Sequence, residues 1–258
     1  ADMPFSADRF ALRFGRVHAE SARKKSFDLF LQEMKDAGIT KAVVPVRRQQ
    51  DSDNDTLVEL LAQYPDLFIG SAGINHRDSE QAIGQIKKYV VEGPCKTIIM
   101  ETGMGRPLLY ASDESIFPIY EYCQEQEIPV MLSYGGFVGG VDIDYYHPRH
   151  IEVLAKTFPK LKIALCHGSW PWVTQVVHLA YRTNNIYVAP DIYAIHCAGA
   201  TDYIDAANYM LHDKILYGSA YPIVDMPGSV RHYVSHINEN VLPEIMWKNA
   251  TKFLNLDI

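Results

Sequence analysis

The sequence predicts an α/β fold of the (β/α)8, or TIM-barrel, kind, and three observations predict it. Short β-branched apolar runs alternate with amphipathic segments of helical periodicity along the chain. The runs are almost continuously apolar, which suits strands buried on both faces of a parallel sheet. The length of 258 residues matches the roughly 250 that one such barrel needs.

The strand candidates are residues 41–46 (KAVVPV), 67–74 (LFIGSAGI), 95–101 (CKTIIME), 128–134 (IPVMLSY), 162–167 (KIALCH), 186–193 (IYVAPDIY) and 214–221 (KILYGSAY). Between them, Phe27, Phe30, Leu31 and Met34 recur at i, i+3, i+4 and i+7, and Gly38 follows as a stop signal. Residues 79–91 repeat the pattern, with Ser79 as the expected N-cap and Glu80 as a first-turn acid. Helices over 115–126, 148–157, 172–181 and 206–211 follow, and 230–237 and 243–254 close the chain. Seven strands leave unpaired edges where a closed barrel needs eight, so the first strand is expected to precede residue 1. The competing fold, an open doubly wound sheet, usually carries a Gly-rich phosphate turn after its first strand. This chain has Val46-Arg47-Arg48 there instead. No repeat, linker or low-complexity tract divides it, so residues 1–258 are expected to form a single domain.

Composition narrows the function classes. The chain is 48% hydrophobic and 21% charged, as a protein with a large buried core should be. A net charge of -7 argues against nucleic acid or an anionic membrane surface as partner, and Arg23-Lys24-Lys25 reads as a solvated approach to a helix. Cys95, Cys123, Cys166 and Cys197 form no Cys-x-x-Cys pair, which points to reduced thiols in a cytoplasmic protein. No signal peptide is expected, and no apolar run approaches the roughly 20 residues of a transmembrane helix.

In a barrel, active residues gather at the C-terminal ends of the strands and in the loops that follow. Read in order, those positions hold Arg47 and Arg48, Asn75 and His76, Glu101, Ser133 and Tyr134, His167 and Trp170, Asp191 and Tyr193, and Ala220 and Tyr221. His167 is the candidate general acid/base, and Glu101 and Asp191 complete an acid/base set in which either carboxylate could orient it. Glu101 can equally be half of a structural ion pair. Arg106, in the loop after Glu101, and Arg47 are candidates to pin a substrate carboxylate. Ser133, Tyr134, Trp170, Tyr193 and Tyr221 join the substrate-binding set, the aromatics as a surface for a planar ring. The glycine-rich stretch 135–140 reads as a flexible loop or lid. His147 and His150 have the look of a zinc pair but start a helix without a third ligand, so they read as a cap and a packing residue. His196, His178 and His18 read as loop, helix-surface and N-terminal positions.

Several segments carry a resemblance. Tyr145-Tyr146-His147-Pro148-x-His150, Phe158-Pro159-x-Leu161-Lys162 and Cys166-His167-Gly168-Ser169-x-Pro171-Trp172 resemble the amidohydrolase-related family. Ile215 to Pro222 resembles its last-strand motif, and Asn249-Ala250-x-x-Phe253-Leu254 its closing helix. That group contains the aminocarboxymuconate-semialdehyde and hydroxybenzoate decarboxylases and the pyrone-dicarboxylate lactonases. The resemblance implies a TIM barrel, a small carboxylated substrate and a homo-oligomer. It also implies, in metal-dependent members, ligands from a His-x-His on the first strand, a His on the fifth, a His on the sixth and an Asp on the eighth. This chain has Ser133 at the fifth-strand position and Ala220 at the eighth, and only His167 remains. A divalent metal needs more ligands than that. The expectation is therefore no metal and no cofactor, and a hydrolase that uses acid/base chemistry on a carboxylated, possibly aromatic or lactone, substrate. The alternatives are a non-catalytic small-molecule-binding barrel, or a decarboxylase or metalloenzyme with relocated ligands.

Overall fold

The computed structural model describes residues 7–47, 53–105, 107–136 and 142–256. Three short helices open it: α1 (Ala7–Arg13), α2 (Glu20–Lys24) and α3 (Phe27–Asp36). Alternation then begins with β1 (Ala42–Pro45), α4 (Asn54–Gln63), β2 (Phe68–Gly73), α5 (Ser79–Ile86), β3 (Thr97–Met100) and α6 (Phe117–Glu125). It continues through β4 (Val130–Ser133), α7 (Pro148–Thr157), β5 (Ile163–Cys166), α8 (Val173–Arg182), β6 (Ile186–Ala189) and α9 (Ala200–Asn208). The last helices are α10 (Met226–His236) and α11 (Asn249–Phe253). All six strands pair in parallel in sequence order, the TIM-barrel arrangement that the sequence predicts.

The seventh predicted strand is a correction. Residues 214–221 do not form a ladder. Only Ile215 bridges to Val188, through Val188 N–H to Lys214 O at 3.0 Å and Leu216 N–H to Val188 O at 2.9 Å. The next amide, Tyr217 N–H, donates to Ile245 O at 3.0 Å and so leaves the sheet for the turn before α11. Asn249 supports this departure: its Nδ2 donates to His212 O and Ile215 O, both at 2.9 Å, from a buried position. Helix starts were also misread in detail. The N-cap of α5 is Asp78, whose carboxylate accepts from Gln81 N–H at 3.0 Å, and Ser79 instead donates to Ser115 O. Residues 87–91 continue α5 as a π-helical turn. Helix α9 starts at Ala200, six residues before the predicted 206.

The strand register sorts residues onto two faces. Ile98, Leu132, Leu165 and Val188 face the helices in the main core, packed against residues such as Ile151, Leu154, Val176 and Leu179 of α7 and α8. Val43, Ile69, Met131, Ala164, Tyr187 and Leu216 form a second cluster, the inward row of the barrel, together with Phe253 and Leu254. Tyr187 and Phe253 meet edge-on with ring centroids 5.3 Å apart. Lys162 Nζ, at the start of β5, donates to Lys252 O, so α11 plugs the end of the barrel where the strands begin. The opposite end, where the strands finish, is left for chemistry.

The chain's opening residues lie beside that second end. Asp225 N–H donates to Val17 O at 3.0 Å and Ala19 N–H to Pro222 O at 3.2 Å. Phe14 is buried with its ring edge-on to Tyr193. Among the described residues no helix is long and apolar enough to cross a membrane. Because Asn249 satisfies two carbonyls that no strand reaches, Asn249→Ala should destabilise the fold by about 1–3 kcal/mol in urea unfolding. An unchanged midpoint would mean that those carbonyls have other partners.

Candidate active site

Two polar clusters stand at the strand ends. The first is built on β1, β3 and β4. Glu101 directly follows β3 and Ser133 ends β4; extending the pairing of Met100 with Leu132 by one residue sets them opposite each other on the inward face. Arg47, just past β1, reaches across to both. Its Nε donates to Glu101 Oε1 at 2.9 Å, and its Nη2 lies 2.9 Å from the same oxygen and donates to Ser133 Oγ at 2.9 Å. The Glu101 side chain is 5% exposed and that of Arg47 23%. A carboxylate so far out of water needs a charged, hydrogen-bonded partner, and the guanidinium supplies one. The structural ion pair anticipated for Glu101 is present, made by a residue 54 positions away.

The second cluster is built on β5 and β6. His167 follows β5 and Asp191 follows β6 by two residues. Asp191 Oδ2 accepts from His167 Nδ1–H at 2.7 Å, while Oδ1 accepts from Ile192 N–H at 2.6 Å. An ionised carboxylate can only accept, so Nδ1 carries a proton in this contact, and in the neutral ring the lone pair is on Nε2. His167 and Asp191 make this contact from left-handed φ angles of 71° and 45°, and Ala220 at the next strand end takes 56°. Such conformations in residues other than glycine cost about 1–3 kcal/mol each and concentrate at functional sites. Gly168 anchors the bend, because its φ is 63° and a Cβ there would stand 2.7 Å from Tyr203 Oη. The same hydroxyl donates to Gly168 O at 2.8 Å.

Cys166 ends β5 between the clusters, and its surroundings report on both. Burial, then the Asp191 charge, push its thiol up to about 12, with Arg47 pulling the other way. Beside the imidazole, Tyr193 is a correction to the expected substrate-binding set: it is 3% exposed and belongs to the main core, packed between Phe14 and the partly exposed Trp170. Trp170 and Tyr193 stack with centroids 5.4 Å apart, and His167 meets Tyr193 edge-on at 6.0 Å. Trp170 Nε1 donates to Ala198 O, which fixes the indole.

Other expected site residues lie elsewhere. Tyr134 is fully buried, donates its hydroxyl to His147 O at 3.0 Å and packs edge-on to Tyr146. Strand alternation explains this correction: Ser133 faces inward, so the next side chain faces the helices. Tyr221 turns toward the N-terminal helices, 3.2 Å from Ser21 Oγ and packed on Phe30 at 4.9 Å. Asn75 is tied to α5 through Gln81 and Gln85, and His76 is buried. His147 is the N-cap of α7, accepting from Arg149 N–H, and His150 stacks on Tyr110. His196 and His178 are exposed, and His18 contacts Asp8. Arg106, Arg48 and the loop from residue 137 to 141 lie outside the described residues.

Sequence reasoning missed Tyr146. It is 2% exposed and packs over the backbone of Gly103, where a Cβ would meet its ring at 2.8 Å. Burial, then the Glu101 charge, push its phenol up to about 12, with Arg47 opposing, so the hydroxyl belongs to the first cluster. The metal-ligand set that the resemblance implies is incomplete here. Ser133 and Ala220 stand at two expected ligand positions, a fixed guanidinium faces Ser133, and no group of three metal-ligating side chains occurs among the described residues.

All four cysteine thiols are pushed up by burial, to about 11 or 12 from an ordinary value of 9.0. Cys95 and Cys123, which are buried, should resist alkylation in the native state at pH 8 and react on unfolding, as a thiol count with and without denaturant would test. Folded values above unfolded ones mean a stabilising contribution that is full below about pH 9 and lost as pH rises further. Rapid native labelling of Cys123 would contradict its complete burial.

Known proteins can be set beside this geometry. The amidohydrolase family model matches residues 4–256. An uncharacterised TIM-barrel protein of Bordetella bronchiseptica superposes with a TM-score of 0.91 at 31% identity, over 96% of this chain and 89% of that one. A dihydroxybenzoic acid decarboxylase of a Polaromonas species, solved with manganese and 2-nitroresorcinol bound, gives a TM-score of 0.71 at 18% identity, covering 89% and 86% of the two chains. In sequence, the chain is 21% identical over 240 residues to 2-amino-3-carboxymuconate-6-semialdehyde decarboxylase of Dictyostelium discoideum. That match covers 79% of this chain and 66% of the relative's own length.

Proposed function

Because the chain belongs to the amidohydrolase family, we propose that it is an enzyme acting on a small carboxylated, planar substrate by acid/base chemistry without a metal. The observation that carries this reading is the 2.7 Å contact between His167 Nδ1 and Asp191. It fixes one tautomer, orients the ring and stabilises the imidazolium that forms when Nε2 takes a proton. The partly exposed indole of Trp170, backed by the buried Tyr193 beside the imidazole, supports a planar substrate.

The reaction proposed is hydrolysis of an ester or lactone. His167 Nε2 takes a proton from water while the water oxygen bonds to the substrate carbonyl carbon. Negative charge passes to the carbonyl oxygen, facing the Arg47 guanidinium that Glu101 and Ser133 hold in place. Collapse of the intermediate breaks the carbon–oxygen bond, and His167 returns its proton to the leaving oxygen. Glu101 is a positioning residue in this scheme, since it holds Arg47 in place. Arg106 remains a candidate anchor for the substrate carboxylate.

A second reading, decarboxylation, is favoured by the names of the similar proteins, two of which are decarboxylases of carboxylated unsaturated compounds. The same pair would serve it: an imidazolium at His167 protonates the carbon that bears the carboxylate, and the carbon–carbon bond then breaks to release carbon dioxide.

The test is turnover of a panel of aromatic carboxylates and carboxylated lactones, followed by carbon dioxide release and by acid production. His167→Asn should lower kcat by about 10²-fold or more with the melting temperature kept. Asp191→Asn should cost a comparable factor, because it lets the imidazole adopt the wrong tautomer. Full turnover by His167→Asn would overturn the reading, and carbon dioxide release would select decarboxylation over hydrolysis.

A further inference from the structure

Tyr146 offers a hydroxyl that the fold itself does not use. Its side chain is buried, and its Oη has no hydrogen-bond partner among the described residues. A buried hydroxyl left unpaired costs about 1–3 kcal/mol, so its persistence calls for a partner that arrives from outside. The ring is held by the Gly103 backbone beneath it and by Tyr134 edge-on at 5.7 Å, and Ser169 Oγ donates to the Tyr146 main-chain carbonyl at 2.6 Å. Gly103 lies two residues past Glu101, so the phenol sits beside the Arg47–Glu101 pair and senses both charges.

Arg47 has a matching opening. Its Nε and Nη2 are committed to Glu101 and Ser133, while Nη1 makes no hydrogen bond to a described residue. The guanidinium cannot lose its charge, and Glu101 and Ser133 prevent it from swinging away.

We propose that Arg47 Nη1 and Tyr146 Oη together form an oxyanion-binding point for the substrate, a fixed protein cation and a neutral donor in the place where metal-dependent relatives hold a divalent ion. This rests on the acid/base reading above and extends it by naming the ligand chemistry, an oxygen anion on or next to a planar ring. The disagreement between these residues and a metal centre then has a physical reason. A guanidinium bonded to Ser133 repels a divalent cation and supplies positive charge of its own. The phenol is suited to its part because burial keeps it protonated, so it donates at every working pH. Donors fixed in advance and screened from water bind a developing oxyanion more strongly than mobile ones do.

4-Nitrophenol tests the pocket, because its phenolate is yellow and its neutral form is not. It should be titrated into the full chain at a pH below the phenol's own pKa, with absorbance and calorimetry recorded together. The wild type should bind it as the phenolate. Tyr146→Phe removes only the hydroxyl and should weaken phenolate binding by roughly tenfold or more. The melting temperature without ligand should stay the same or rise, because that hydroxyl has no partner to lose. Arg47→Lys keeps the charge but not the fork, and should weaken binding as well. His167→Asn should change phenolate binding little while lowering kcat by about 10²-fold or more, which separates a failure here from a failure of the acid/base reading. Failure of the wild type to bind the phenolate, or equal binding by Tyr146→Phe, would overturn the proposal.

Discussion

The contact between Arg47 and Glu101 is the constraint on which the candidate site depends. A carboxylate 5% exposed at the mouth of a barrel is tolerable only with its charge met by a fixed partner. Arg47 meets it at 2.9 Å and carries a third bond to Ser133, so three strand ends, β1, β3 and β4, are tied at one guanidinium. That tie decides what the mouth can hold. A permanent positive charge stands facing Ser133, one of the positions where the family resemblance would place a metal ligand. The remaining chemistry must work with it.

The far side of the mouth is organised on a different principle. His167 and Asp191 sit at the ends of adjacent strands with backbones held in left-handed conformations, and the packing of Tyr203 on Gly168 keeps that bend. Strain of this kind survives only where surrounding contacts over-determine it. One side of the mouth thus holds the Arg47–Glu101 ion pair and the other the His167–Asp191 pair. The plug of Phe253 and Leu254 at the opposite end leaves the barrel with one usable face.

Much of the fold was legible because parallel strands buried on both faces leave long apolar runs, and the six laddered strands all fall within the predicted segments. The seventh segment failed for a reason invisible in its composition. KILYGSAY has strand character, yet Tyr217 N–H is claimed by the Ile245 carbonyl. Helix α4 was missed although Asp53 caps it and Leu57, Leu60 and Leu61 share a helical face. Its signal lay there to be read. The strand-end rule located Arg47, Glu101, Ser133, His167 and Asp191, but it could not pair them, since each contact joins residues 24 to 86 positions apart. Tyr134 was placed at the rim by proximity to its strand end; counting the two-residue alternation from Ser133 would have sent it into the core. Tyr146 was hidden inside a motif, and nothing local marks a tyrosine whose hydroxyl lacks a partner.

In the function proposed for this site, protein cations and donors, not a divalent ion, supply the positive charge at the mouth. Elemental analysis of the purified chain, expressed with zinc and manganese supplied, tests it most directly. Metal far below one equivalent per chain is the outcome expected from Arg47, Ser133 and Ala220 standing where they do. One tightly bound equivalent, lost together with activity on chelation and restored with it, would contradict the claim and return the site to a metal-centred mechanism.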